Sequence, residues 1–201
     1  MFDRTFIITI KRNESKFNDT LNHLHSNHIF PETFYGLDYK VSGLQTNWTY
    51  EVDHPMTGYV MEPRTTNIYM SHWLLWKCCE FSNADSFLIL EDDVRFIPEW
   101  RENLSSAIFN MDDDWDMLFL GSCCCSGRQH KHVKGTLYET KYACCTHAYA
   151  FKRKALDVLI RKMGRVWTGV DIAMIFEAFP HLKTYVILPR IANQEGLELP
   201  E

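Results

Sequence analysis

Apolar residues along this chain fall into short unbroken runs, and these alternate with stretches of helical period. Residues 5–10 (Thr-Phe-Ile-Ile-Thr-Ile) are β-branched and apolar between charged neighbours, which predicts a buried first strand. Phe17, Leu21 and Leu24 recur at i, i+4 and i+7, predicting a helix over residues 16–25 with Ser15 as its cap. Pro31 ends that unit, and residues 33–35 resume as a strand. Residues 40–66 mix Gly, Pro, Asn and aromatics without a period and read as a long loop, a candidate lid or acceptor-binding segment. Helix formers return over residues 67–81. Residues 86–90 then form an apolar strand that runs directly into Glu91-Asp92-Asp93.

Pro98 suits the first turn of a helix carrying Trp100, Leu104, Ala107 and Ile108. Residues 115–120 predict another strand, 127–135 a basic loop, and 136–138 and 144–151 two short strands. Leu156, Leu159, Ile160 and Met163 mark an amphipathic helix, residues 170–179 a second one stopped by Pro180, and residues 184–188 a last strand. Strands alternating with helices predict an α/β fold, an open sheet with helices on both faces. At 201 residues the chain is long enough to bury a sizeable core, so one domain over residues 1–201 is expected.

Composition narrows the function. Hydrophobic residues make up 46% and charged residues 23%, a globular balance far from that of disorder. The net charge of -5 and the lack of a basic block longer than Lys152-Arg153-Lys154 argue against nucleic acid as a partner. No apolar run approaches the roughly 18 residues of a transmembrane helix, and the first residues lack the basic and apolar regions of a signal peptide. The expected location is the cytoplasm.

The seven cysteines stand as Cys78-Cys79, Cys123-Cys124-Cys125 and Cys144-Cys145. Adjacent groups in an odd number suit neither a disulfide framework nor the spacing of a zinc finger, so seven reduced thiols are expected. The alternative is that the 123–125 and 144–145 groups meet in space and bind a soft metal with His130, His132 or His147.

The junction at Glu91-Asp92-Asp93 carries the most chemistry. Ligands of open α/β sheets gather at the carboxyl ends of strands, and three adjacent acids repel one another unless a cation sits among them. Oxygen donors suit Mg²⁺ or Mn²⁺, which commonly bridge carboxylates to substrate phosphates. The acids Asp112-Asp113-Asp114 precede a strand instead of following one and read as a solvated turn.

Ser71-His72-Trp73-Leu74-Leu75-Trp76-Lys77 on a helix, followed by residues 87–94 (Phe-Leu-Ile-Leu-Glu-Asp-Asp-Val), resembles the central signature of glycosyltransferase family 25. That family includes bacterial lipopolysaccharide glycosyltransferases and collagen galactosyltransferases. The likeness extends to the opening strand with Lys11-Arg12, to Phe34-Tyr35-Gly36-Leu37-Asp38, to residues 146–151, to Gly169-Val170-Asp171 and to residues 189–194. It implies a GT-A type domain with an open, mixed, mostly parallel sheet. It also implies transfer of a hexose, galactose or glucose, from a UDP-sugar with inversion, onto a hydroxyl of a glycan, lipid-linked glycan or protein.

On this reading Glu91 and Asp93 hold Mn²⁺ (or Mg²⁺), and Thr9, Arg12, Ser71, His72, Asp92, His147 and Gln194 bind the donor. Asp171 is the base that takes the acceptor proton. Two alternatives stand beside it: a catalytically silent nucleotide-sugar or carbohydrate-binding module, and a metal-dependent phosphotransferase. No P-loop motif supports the latter.

Overall fold

The computed structural model describes residues 1–42, 61–123 and 130–196. Much of the predicted long loop, with Cys124 and Cys125, lies outside them. The chain alternates strands and helices in the order β1 (Arg4–Thr9), α1 (Glu14–Ser26), β2 (Glu32–Tyr35), α2 (Pro63–Glu80), β3 (Ser86–Glu91), β4 (Val94–Phe96), α3 (Trp100–Asn110) and β5 (Met117–Phe119). It continues with β6 (His130–Lys134), β7 (Leu137–Thr140), β8 (Ala148–Lys152), α4 (Leu156–Lys162), α5 (Val170–Ala173), β9 (Thr184–Ile187) and β10 (Ala192–Gln194).

Among the described residues, eight strands form one sheet in the order β2-β1-β3-β8-β5-β9-β7-β6. β1 pairs in parallel with β2 and β3, and β5 with β9, while β8 and β7 pair antiparallel to their neighbours. Only β7 and β8 therefore run against the rest, and the sheet is mixed and mostly parallel in direction. β4 and β10 make a separate antiparallel ribbon.

Strand alternation divides the core into two layers. On one side of the sheet Ile7, Leu88, Leu90 and Leu118 pack with Phe17 and Leu24 of α1 and with Trp100 and Leu104 of α3. On the other, Phe6, Ile8, Phe87, Ile89 and Phe119 pack with Leu75 and Trp76 of α2, Leu159 of α4 and Val170 of α5. Helices thus cover both faces. Phe87, Ile89 and Leu90 are fully buried, and each such side chain contributes about 1.5–3 kcal/mol over its exposed state.

Several local expectations are corrected. α2 starts at Pro63, four residues before the predicted helix, because proline's missing N–H and fixed φ suit the first helical position. α1 starts at Glu14 after a single 3₁₀ turn, and Ser15 is inside the helix instead of capping it. Residues 130–134, predicted as a loop, are the edge strand β6, whose exposed side chains hide the period of two. The helix predicted over residues 170–179 is α-helical only over α5 and continues as a wider π turn, Met174–Ala178.

Cysteine pairing is corrected too. Cys123 and Cys145 form a disulfide, with Cα atoms 5.8 Å apart. Neighbouring strands produce it: Cys123 follows β5, Cys145 leads into β8, and the Cys123 N–H donates to the carbonyl of Cys144. Among the described residues, no helix is long and apolar enough to cross a membrane.

Candidate active site

The parallel strands β1, β2 and β3 all end on the same side of the sheet, and the residues that follow them wall a cavity of about 480 Å³. Its lining includes Thr9, Arg12, Asn13 and Lys16 from the first unit, Ser71 and His72 from α2, the three acids after β3, and Gln194 from β10. That volume lies within the range of small-molecule sites.

Each carboxylate has its own set of partners. Asp92 Oδ2 accepts from the hydroxyl of Thr9 at 2.7 Å and from the amide of Asn13 at 3.3 Å. The pairing follows from register: Ile8 stands opposite Glu91, so Thr9 comes beside Asp92. Burial pushes the Asp92 carboxyl up, and those two hydrogen bonds with the Lys16 charge offset this only in part, so it stays above the usual aspartate value.

Glu91 Oε1 accepts from the Thr146 hydroxyl at 2.6 Å and lies 3.1 Å from Nε2 of His72. Burial pushes this carboxyl up, but the His72 ring and the Thr146 hydroxyl outweigh it and leave Glu91 below the usual glutamate value. The hydrogen-bond network assigns the His72 tautomer. Trp76 donates to the Tyr149 oxygen, that hydroxyl faces Nδ1 at 2.9 Å, and the proton on Nε2 is left to point at Glu91.

Asp93 is buried, and its Oδ2 meets the ammonium of Lys16 at 3.1 Å and the amide of Gln194 at 2.9 Å. Among the described residues, its Oδ1 is buried with no hydrogen-bond partner. A carboxylate oxygen removed from water in this way is costly unless something else fills its coordination.

Of the residues read from the sequence, Thr9, Arg12, Ser71, His72, Glu91, Asp92, Asp93 and Gln194 come together on this cavity. Arg12 already pairs with Asp38 at 3.1 Å and stacks over Tyr39. Ser71 donates to the carbonyl of Asn67 and accepts from the N–H of Leu37, so its hydroxyl fixes the turn after β2. A Cβ at Gly36 would lie 2.6 Å from that hydroxyl oxygen, which is why the turn needs glycine.

His147 and Asp171 are not among the lining residues. His147 is buried behind Glu91, its carbonyl accepting the Glu91 N–H and its Nε2 lying 3.0 Å from the carbonyl of Ala192. Asp171 accepts from the N–H groups of Cys145 and Ile172. Its partner Cys145 adjoins Thr146, which donates to Glu91. Sequence reasoning missed Asn13, Lys16, Lys40, Arg64 and Thr146; of these Lys16 carried a signal, a cation in the first turns of the helix that follows strand one.

A mixed, mostly parallel sheet with helices on both faces is the architecture of GT-A-like nucleotidyl- and glycosyltransferases. Two solved structures share the fold. One is described as mannose-1-phosphate geranyltransferase from Thermus thermophilus, with TM-score 0.54 and 10% identity over 96% of this chain and 76% of that one. The other is a glycosyltransferase involved in the glycosylation of the major capsid of PBCV-1, with TM-score 0.54 and 13% identity over 91% and 79%.

Residues 2–174 match the family described as glycosyltransferase family 25 (LPS biosynthesis protein), and the chain belongs to that family. Human (Homo sapiens) procollagen galactosyltransferase 2 is 24% identical over 179 residues, 79% of this chain. Procollagen galactosyltransferase 1-A of Xenopus laevis is 24% identical over 129 residues, 60% of it. The chain spans 27% of the human protein and 21% of the frog one.

Proposed function

We propose that this chain is a glycosyltransferase that moves a hexose, galactose or glucose, from a UDP-sugar to a hydroxyl acceptor with inversion at the anomeric carbon. The observation that carries the reading is the buried, unpartnered Oδ1 of Asp93 on a cavity that also holds Glu91, in a chain of family 25.

Glu91 and Asp93 would supply carboxylate oxygens to a hard divalent cation, and an ion on Oδ1 of Asp93 would satisfy an atom that no hydrogen bond among the described residues reaches. Mn²⁺ or Mg²⁺ held there would supply charge neutralisation at the diphosphate leaving group. The chain's own residues do the rest. Arg12, Lys16, Lys40 and Arg64 put four cationic side chains on the same cavity, suited to a diphosphate. Thr9 and Asn13 orient Asp92, and His72 with Thr146 orients Glu91.

Asp171 is the proposed base. Its carboxylate is held outside the cavity lining by the N–H groups of Cys145 and Ile172, and as base it would take the acceptor proton as the new glycosidic bond forms. Incubation with UDP-galactose, UDP-glucose and their N-acetyl forms, with and without Mn²⁺, tests the reading through UDP release. Release from one donor, dependent on the ion, is expected. No release from any donor, with the protein folded and no UDP binding, would sink it.

A further inference from the structure

Behind the carboxylate wall, Cys123, Cys145 and His147 bring their ligand atoms within 4.8 Å of one another. Nothing in the transfer reading uses this cluster, and a second feature marks it. His147 is buried, and Nε2 faces the carbonyl of Ala192 at 3.0 Å. A carbonyl only accepts, so Nε2 carries a proton, and in the neutral ring the lone pair falls on Nδ1. That Nδ1 is buried without a partner among the described residues. An imidazole whose far nitrogen donates to a backbone carbonyl is the arrangement that prepares the near nitrogen for a metal. Cys145 adds strain, with φ of 70°, a left-handed conformation uncommon for a residue with a side chain.

We infer that reduction of the Cys123–Cys145 bond opens a site for one soft divalent cation, zinc before others, held by both thiolates and by Nδ1 of His147. A tetrahedral zinc with sulfur ligands at about 2.3 Å and nitrogen at about 2.0 Å sets its ligands roughly 3.5–4 Å apart, within reach of side-chain adjustment here. The fourth position belongs to water. A dithiol supplies the two electrons and becomes a disulfide itself, and its two protons pass to the new protein thiols. Zinc then takes both thiolates, and those two protons leave to solvent.

The site and the disulfide are alternative states of one pair of sulfurs, and the segment they fix touches the catalytic wall. The Cys145 N–H donates to Asp171, the Thr146 hydroxyl to Glu91, and the His147 carbonyl accepts from the Glu91 N–H. The inference does not depend on the proposed transfer reaction.

Cobalt reports on such a site without any activity measurement. The full chain, reduced and kept anaerobic, is titrated with Co²⁺ and followed by absorption. One equivalent should bind with a thiolate charge-transfer band and the visible bands of a tetrahedral ion, and Zn²⁺ should displace it. Cys123→Ser and Cys145→Ser should lose most of the charge-transfer band, His147→Gln should bind at least tenfold more weakly, and Cys78→Ser should behave as wild type. Because these buried variants can fail to fold, Zn²⁺ protection of the wild-type thiols from alkylation is mapped by peptide mass. Protection should fall on Cys123 and Cys145. No stoichiometric Co²⁺ binding by the reduced protein, a full band in folded Cys145→Ser, or protection confined to other cysteines would overturn the inference.

Discussion

Lys16 holds its ammonium 3.1 Å from Oδ2 of Asp93, on the same carboxylate whose Oδ1 is buried without a partner. On the proposed reading, a side-chain cation and an incoming metal ion would meet at one group and repel. Lys16→Met should tighten Mn²⁺ binding to the free protein by about two- to fivefold, the scale of a partly exposed ion pair. The same variant should weaken UDP binding in the presence of Mn²⁺ by a similar factor, because a diphosphate contact is lost. Calorimetric titration measures both, and a shift of both affinities in the same direction would refute the competition. Asp93→Asn should abolish Mn²⁺-dependent UDP binding while the circular dichroism stays that of wild type.

Asp171→Asn should lower the rate of transfer by about 10² to 10⁴ with donor affinity near wild type, since a base acts in the transition state. Steady-state kinetics with the donor found by the screen decide this. Normal turnover would leave Asp171 the lesser task of holding the backbone of Cys145.

His23 gives the fold a pH dependence independent of the cavity. Its Nε2 accepts the N–H of Phe96 at 2.8 Å, tying α1 to β4. Burial pushes the imidazole below its ordinary 6.5, and the Arg95 charge adds to this. A depressed folded value means stability that is present above 6.5 and lost as the pH falls through the folded value. Between about pH 7.5 and about pH 5 the urea midpoint of wild type should fall more than that of His23→Gln, which keeps an acceptor and does not titrate. Parallel pH curves for the two proteins would count against it.

Gly121 lies where three parts of the chain converge. A Cβ there would stand 2.1 Å from the carbonyl oxygen of Ala192 and 2.7 Å from Nε2 of His147. Neither is the free end of a flexible side chain, so Gly121→Ala must move backbone and should cost about 1–3 kcal/mol of stability. Urea denaturation measures the loss, and an unchanged midpoint would show that the ribbon yields without strain.

The central strands were legible because burial on both faces leaves an unbroken apolar run, as in residues 86–90, and runs of that kind carry their own signal. β6 was not, because an edge strand with His130, Lys131, His132 and Lys134 exposes the side chains that would have shown alternation. The three-residue strands β4 and β10 are too short for any period. For the site, the acids stood out by their place at the end of a buried strand and family likeness added Thr9 and Gln194, yet Lys16 looked like one more solvated helix position. Its role depends on α1 crossing the end of β3, a tertiary fact. The disulfide stayed hidden for the same reason: adjacency in sequence says nothing about which strands become neighbours.

Gln194 grips Asp93 from the ribbon of β4 and β10, and the Glu195 N–H closes on the carbonyl of Asp93, opposite Thr9, Asn13 and Lys16. Residues separated by most of the chain thus complete one carboxylate cluster. During synthesis β1 and β3 leave the ribosome long before Gln194 does, and domains generally acquire structure from the N-terminal side first. A nascent chain stalled short of β10 therefore carries the first half of the sheet with Asp93 open on one flank. Closure of this carboxylate cluster therefore waits on a three-residue strand made after every strand of the main sheet.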